Sequence, residues 1–97
     1  MTMNEYRGHL TQTIPTPETL QQSMLEYYTK RLINELMDKG EASLTFTTSD
    51  GNRNVLTNIG KGLTKMFKAQ GYKVSTYKYS STSNKIYWIY VEIPLDK

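Results

Sequence analysis

The sequence predicts an α+β fold: a two-layer domain with two helices and a three-stranded mixed sheet in the order 1-3-2. Three observations support this class. Apolar residues recur at helical spacing in two segments, apolar and polar residues alternate in three others, and the segments follow in the order helix, strand, helix, strand, strand. A strand–helix–strand unit favours a right-handed crossover between parallel strands, and the closing hairpin places the last strand between them. We therefore expect both helices on one face of the sheet.

The first helix is predicted over residues 17–39. Thr16 is a suitable N-cap, Pro17 suits the first helical position, and Glu18 lies at the positive end of the helix dipole. Gly40 suits the left-handed conformation that ends many helices. The predicted apolar stripe consists of Leu25, Tyr28, Leu32 and Leu36, widened by Ile33 and Met37 and extended by Leu20, Met24 and Tyr27.

A strand and a second helix follow. A strand is predicted over residues 41–48, because residues 42–47 alternate between apolar and hydroxyl side chains, which is typical of a strand with one buried face. Asp50 lies in the next turn and is interpreted as a cap of the second helix, which ends at Gly71. Gly60 and Gly62 fall inside its apolar stripe. They either weaken the helix, at about 1 kcal/mol each relative to alanine, or let it lie close on the sheet.

The last two strands are predicted over residues 72–79 and 86–93, joined by a polar loop. If the hairpin closes symmetrically, Tyr77 faces Trp88. The core face then carries the aliphatic set Val74, Ile89, Val91 and Ile93, because successive residues of a strand point to opposite faces. The other face carries Tyr77, Tyr79, Ile86, Trp88 and Tyr90, which we interpret as the candidate protein-binding residues.

Composition excludes several classes of site. The chain has no cysteine and one histidine, His9, so disulfides, thiolate metal sites and multi-histidine metal sites are not expected. No apolar run reaches about 18 residues, and no secretory signal or membrane span is expected. We expect residues 1–15 to form an extended N-terminal arm and residues 16–97 a single domain. Eight tyrosines with only 37% hydrophobic residues indicate a thin core.

Charge is distributed unevenly along the chain. Residues 1–48 carry four basic and six acidic side chains, whereas residues 49–97 carry eight basic and three acidic ones. On the second helix, Lys61, Lys65 and Lys68 lie along one stripe, with Arg53 near its start. Such a stripe can contact phosphates, so these four residues are the candidate nucleic-acid-binding set; a solvated helix face is the simpler interpretation.

No catalytic arrangement is evident. Asp50 and Glu92 are single carboxylates on different elements, and His9 lies in the arm. The segment from Gly60 to Thr64 contains Gly-Lys but lacks the spacing of a phosphate-binding loop. We therefore expect a protein that is not an enzyme, with no cofactor, no metal and no small-molecule substrate.

Residues 32–93 resemble a recurrent layout of small bacteriophage-encoded α+β proteins. The resemblance rests on the helix end Met37-Asp38-Lys39-Gly40, the strand Ser43-Leu44-Thr45-Phe46, the helix end Gly71-Tyr72-Lys73-Val74 and the aromatic strand Ile86-Tyr87-Trp88-Ile89-Tyr90. It implies no residue roles. It does imply a setting: a phage or prophage protein in the host cytoplasm or in the virion, serving host interaction, anti-defence or assembly.

The sequence thus predicts a small protein-binding module that acts through an aromatic sheet face, toward itself or a larger partner. Two alternatives remain: a basic nucleic-acid-binding protein that uses the lysine stripe, and a structural virion protein. If the first helix or the arm covered the aromatic face, the leading hypothesis would lose its basis.

Overall fold

A computed structural model describes residues 14–95 of the chain. Most of the predicted arm, with His9, lies outside these residues. The elements are helix α1 (Pro17–Lys39), strand β1 (Glu41–Thr47), helix α2 (Arg53–Ala69), strand β2 (Lys73–Lys78) and strand β3 (Lys85–Glu92). Each lies within one or two residues of its prediction, and the bounds of the first helix agree fully.

The three strands form one sheet in the order β1-β3-β2, as predicted, and the α+β class is confirmed. The description of the sheet as mixed is wrong in one respect. β3 pairs antiparallel with both neighbours, so β1 and β2 run in the same direction without touching each other. The predicted hairpin register is confirmed: Tyr77 pairs with Trp88, and Ser75 pairs with Tyr90.

Caps define the helix ends. Thr16 Oγ1 accepts the N–H of Thr19 at 3.2 Å, and Gly40 ends α1 with φ of 78°. The cap of α2 is Asn52, whose side chain accepts the N–H groups of Asn54 and Val55. The interpretation of Asp50 as the helix cap is therefore wrong.

The core lies between the two helices and one face of the sheet. Its fully buried members from α2 and β3 include Leu56, Leu63, Ile89 and Val91. From α1, only Leu32 and Leu36 are buried; Met24, Leu25 and Tyr28 pack against the core in part. The wider stripe predicted for α1 stays exposed at Leu20, Tyr27, Ile33 and Met37. A helix of 23 residues is about 35 Å long, more than β1 can cover at about 24 Å, which accounts for Leu20 near its start. Ile33 and Met37 instead follow the buried Leu32 and Leu36 and lie to one side of the contact.

Gly60 lets α2 lie directly on the sheet. A Cβ atom at this position would overlap Cδ1 of the Tyr87 ring, because the two atoms would lie closer than side-chain atoms approach one another. At Gly62, a Cβ atom would meet the tip of Leu25 on α1 at 3.3 Å. The interpretation that these glycines permit close packing is confirmed for Gly60, and α2 is unbroken at both positions.

Candidate functional site

One side of the sheet faces away from both helices, and we call it the open face. Strand alternation directs to it the side chains of Ser43, Thr45, Ser75, Tyr77, Tyr79, Trp88 and Tyr90. Within residues 14–95, both helices pack on the opposite side, and Tyr77 retains 58% of its exposure. α1 does not cover the face, because its Tyr28 packs edge-on against Phe46 in the core at 4.9 Å between ring centroids.

Ile86 does not belong to the open face, so this part of the predicted site is wrong. Its side chain is fully buried in the core. The cause is a β-bulge: Phe46 pairs with Tyr87 and Thr47 with Lys85, which leaves one extra residue on β3. Ile86 and Tyr87 therefore both point inward, although they are adjacent in sequence.

The open face is organised by two aromatic pairs. Trp88 and Tyr90 stack with parallel rings, 6.0 Å between centroids, along the central strand. Tyr77 and Tyr79 meet edge to face at 4.8 Å on β2. Because Tyr77 pairs with Trp88 across the strands, these rings form one contiguous patch. The structure therefore brings together four of the five residues predicted for protein binding.

One end of the face is fixed by carboxylates. The Tyr90 hydroxyl donates to Glu41 Oε1 at 2.6 Å and lies 3.4 Å from Glu92 Oε2. The hydrogen bond to Glu41 raises the pKa of Tyr90 to about 12. Lys73 pairs with Glu92 at 3.6 Å. Tyr90 is thus held neutral and oriented at ordinary pH, with its ring stacked on Trp88.

The predicted nucleic-acid-binding residues lie elsewhere. Lys61, Lys65 and Lys68 are exposed on α2, in the helix layer, so the sheet separates them from the open face. Arg53 has a different environment: its guanidinium donates to the carbonyls of Ser83 at 2.6 Å and Ser80 at 3.4 Å. Arg53 therefore holds the loop between β2 and β3.

A second apolar surface was not predicted from the sequence. A groove of about 740 Å³ lies where the two helices meet the end of β3. Ile33, Met66 and Ile93 line it with 40–52% exposure. Helical periodicity assigned Ile33 to the buried stripe of α1, so no signal distinguished it from core residues. The lining contains no charged side chain.

The described part of the chain, residues 14–95, contains neither histidine nor cysteine. No three histidine, cysteine, aspartate or glutamate side chains in it come together as a metal site would require. No helix there is both long and apolar enough to cross a membrane. The two carboxylates considered in the sequence analysis both take part in local contacts. Glu92 lies beside Glu41 at the Tyr90 hydroxyl, and Asp50 accepts the backbone N–H of Thr47 at 2.7 Å.

No protein-family model, curated protein or solved structure matches the chain.

Proposed function

We propose that this protein is a small non-enzymatic binding module that contacts a protein partner through its open face. The observation that carries the proposal is the row formed by Tyr77 and Trp88 on a sheet face that no helix covers within residues 14–95. Contiguous exposed apolar patches usually mark interaction sites, and tyrosine and tryptophan are enriched at interface hot spots.

The open face has the composition of an interface. Aromatic rings occupy its centre, and the hydroxyls of Ser43, Thr45 and Ser75 surround them. A hydrophobic centre with a polar rim is the common arrangement of protein interfaces. The hydrogen bond from Tyr90 to Glu41 and the stack of Tyr90 on Trp88 fix these rings before binding. Fixed side chains lose less conformational entropy when a partner binds.

The partner is a second copy of the chain or a larger protein. Two copies can pack open face to open face, since two sheets stack about 10 Å apart with interdigitated side chains. The resemblance of residues 32–93 to small bacteriophage proteins supports a phage setting. In that setting the module would bind a host protein or a neighbour in the virion.

Affinity capture with the full chain tests the proposal. The full chain serves as bait and is incubated with nuclease-treated bacterial lysate to capture a partner. Separately, the mass of the free protein is measured over micromolar concentrations to detect self-association. Trp88→Ala is the test variant, and Lys65→Ala, on the helix side of the sheet, is its control. We expect Trp88→Ala to abolish partner capture or self-association and Lys65→Ala to leave it intact. Equal behaviour of the two variants would contradict an open-face interface.

Nucleic-acid binding through α2 is the second candidate. It is supported by Lys61, Lys65 and Lys68, which are exposed and form no ion pair within residues 14–95. If they bind phosphates, replacing all three with glutamine should lower the salt slope of single-strand binding by about two units. Absence of a gel shift with the unmodified chain at low salt would exclude this candidate.

A further inference from the structure

The sheet has two edge strands, β1 and β2, and their outward backbone groups can be identified. The N–H of Tyr79 donates to the carbonyl of Ile86 on β3 at 3.1 Å. Backbone groups of an antiparallel strand point alternately to either side, so Ser75 and Tyr77 also bond to β3. The N–H and C=O groups of Val74, Thr76 and Lys78 consequently point away from the sheet.

Carboxylates occupy two outward donors at the edge formed by β1. Glu35 Oε1 accepts the outward N–H of Ser43 at 3.1 Å, and Asp50 Oδ2 accepts that of Thr47 at 2.7 Å. These side chains occupy the positions that a further strand would need and add negative charge there. Occupied donors and edge charges are common protections against unwanted strand pairing.

The edge formed by β2 lacks this protection. Within residues 14–95, no hydrogen bond reaches the outward backbone groups of Val74, Thr76 or Lys78. The strand pairs with β3 without a bulge from Lys73 to Lys78, and no proline interrupts it. Thr76 and Lys78 are exposed. β2 therefore presents a regular row of donors and acceptors to an incoming strand.

The surroundings of this edge are basic. Residues 51–91 contain no aspartate or glutamate and seven cationic side chains: Arg53, Lys61, Lys65, Lys68, Lys73, Lys78 and Lys85. α2 packs over β2 and β3, which brings Lys61 beside Lys78 in a groove of about 430 Å³ next to the edge. An added strand would therefore lie against positive charge on its helix side and beside Tyr77 on its open-face side.

We propose that the β2 edge binds an extended acidic peptide segment of a partner protein as a fourth strand. Its acidic side chains alternate with apolar ones: the acidic set faces Lys61 and Lys78, and the apolar set extends the open face beside Tyr77. A second copy fits less well, because pairing β2 with β2 would bring the Lys61 and Lys78 of two chains together. This proposal concerns the sheet edge and does not depend on the function of the open face.

The test uses a labelled peptide of about eight residues that alternates glutamate and valine, with a lysine–valine peptide as its charge control. Binding to the full chain is followed by fluorescence anisotropy and by amide hydrogen exchange. We expect the acidic peptide alone to bind and to slow exchange at Val74, Thr76 and Lys78. Thr76→Pro removes an outward N–H without touching the β2–β3 ladder, and should weaken binding about tenfold.

Thr45→Pro is the matched control, since Thr45 lies between Ser43 and Thr47 on the other edge and its N–H also points outward. It should bind like the unmodified chain. Equal affinities of the two proline variants, or equal binding of the lysine peptide, would overturn the proposal. If Thr76→Pro fails to fold, hydrogen exchange of the unmodified chain decides, and exchange at Thr76 that the acidic peptide does not slow would likewise overturn the proposal.

Three further outcomes would assign the edge or its basic surroundings to another occupant and also overturn the proposal. Slow exchange at Thr76 before peptide is added would show an edge already paired by the chain itself. A dimer that Thr76→Pro converts to monomer would identify a second copy. A single-stranded oligonucleotide that displaces the peptide and binds Thr76→Pro undiminished would identify a nucleic-acid surface.

Discussion

The two faces of the sheet are formed by the same three strands but differ in how far their side chains are buried. On the core face, Ile89 and Val91 are fully buried beneath α1 and α2. On the open face, Tyr77 is 58% exposed and the stacked pair Trp88 and Tyr90 is half-buried. Adjacent residues of β3 therefore experience opposite environments. The difference separates what holds the domain together from what is available to a partner.

Ile89→Ala and Trp88→Ala test this separation at neighbouring positions, and we expect the largest contrast here. Ile89→Ala removes a fully buried side chain and should destabilise the domain by about 2–5 kcal/mol. Trp88→Ala removes a half-buried side chain and its stack on Tyr90, which contributes about 0.5–1.5 kcal/mol beyond the buried area, so we expect a smaller loss than at the fully buried Ile89. Chemical denaturation of dilute monomer measures both. Equal losses would mean that the sheet is covered on both sides.

Gly60→Ala tests the close contact on the core face. The added methyl group would overlap the buried ring of Tyr87, and such overpacking costs about 1–3 kcal/mol. The better helix propensity of alanine offsets about 1 kcal/mol of this cost, so we expect the free energy of unfolding to fall by up to about 2 kcal/mol.

Gly62→Ala is the control for Gly60→Ala. It meets only the flexible tip of Leu25, and should leave stability unchanged or slightly higher. Thermal unfolding of the two variants provides the measurement. A Gly60→Ala protein as stable as Gly62→Ala would contradict the close approach of α2 to Tyr87.

Tyr90 provides the smallest effect, confined to high pH. Its pKa of about 12 lies above the ordinary tyrosine value of about 10, so the folded state holds this proton more tightly than the unfolded state. The stability that this hydrogen bond contributes is complete below about pH 10 and is lost as the pH rises through about 12. Denaturation between pH 9 and about 12 should therefore show a shallower decline in Tyr90→Phe than in the unmodified chain. Identical slopes would argue against the hydrogen bond to Glu41.

Sequence patterns were sufficient where alternation was unambiguous. The pairing of Tyr77 with Trp88 could be predicted from the hairpin, because a register shift by one residue would have placed core and open-face side chains on the same side of the sheet. Ile86 was misplaced because residues 86–91 are continuously apolar, so alternation does not fix the phase there or reveal the bulge. Burial of Ile33 and Met37 was overestimated because helical periodicity does not reveal how narrow a three-stranded sheet is.

Local hydrogen bonds also decided roles that residue type leaves open. Both Asp50 and Asn52 can cap a helix; the structure assigns the cap to Asn52 and the protection of the β1 edge to Asp50. Arg53 was predicted to belong to the nucleic-acid-binding set, but its guanidinium donates to the carbonyls of the loop between β2 and β3. The turns bring these residues to their hydrogen-bond partners, and residue type alone does not specify the geometry of a turn.

Fluorescence of Trp88 tests the central claim most directly, because it is the only tryptophan in the chain and lies in the middle of the open face. Emission and acrylamide quenching are measured on the full chain, first as dilute monomer and then with its captured partner or at self-associating concentration. We predict intermediate emission with measurable quenching in the monomer, as expected of a half-buried ring, and a blue shift with protection from quenching in the complex. Blue-shifted, protected emission from the dilute monomer, or no change on complex formation, would contradict a binding function for this face.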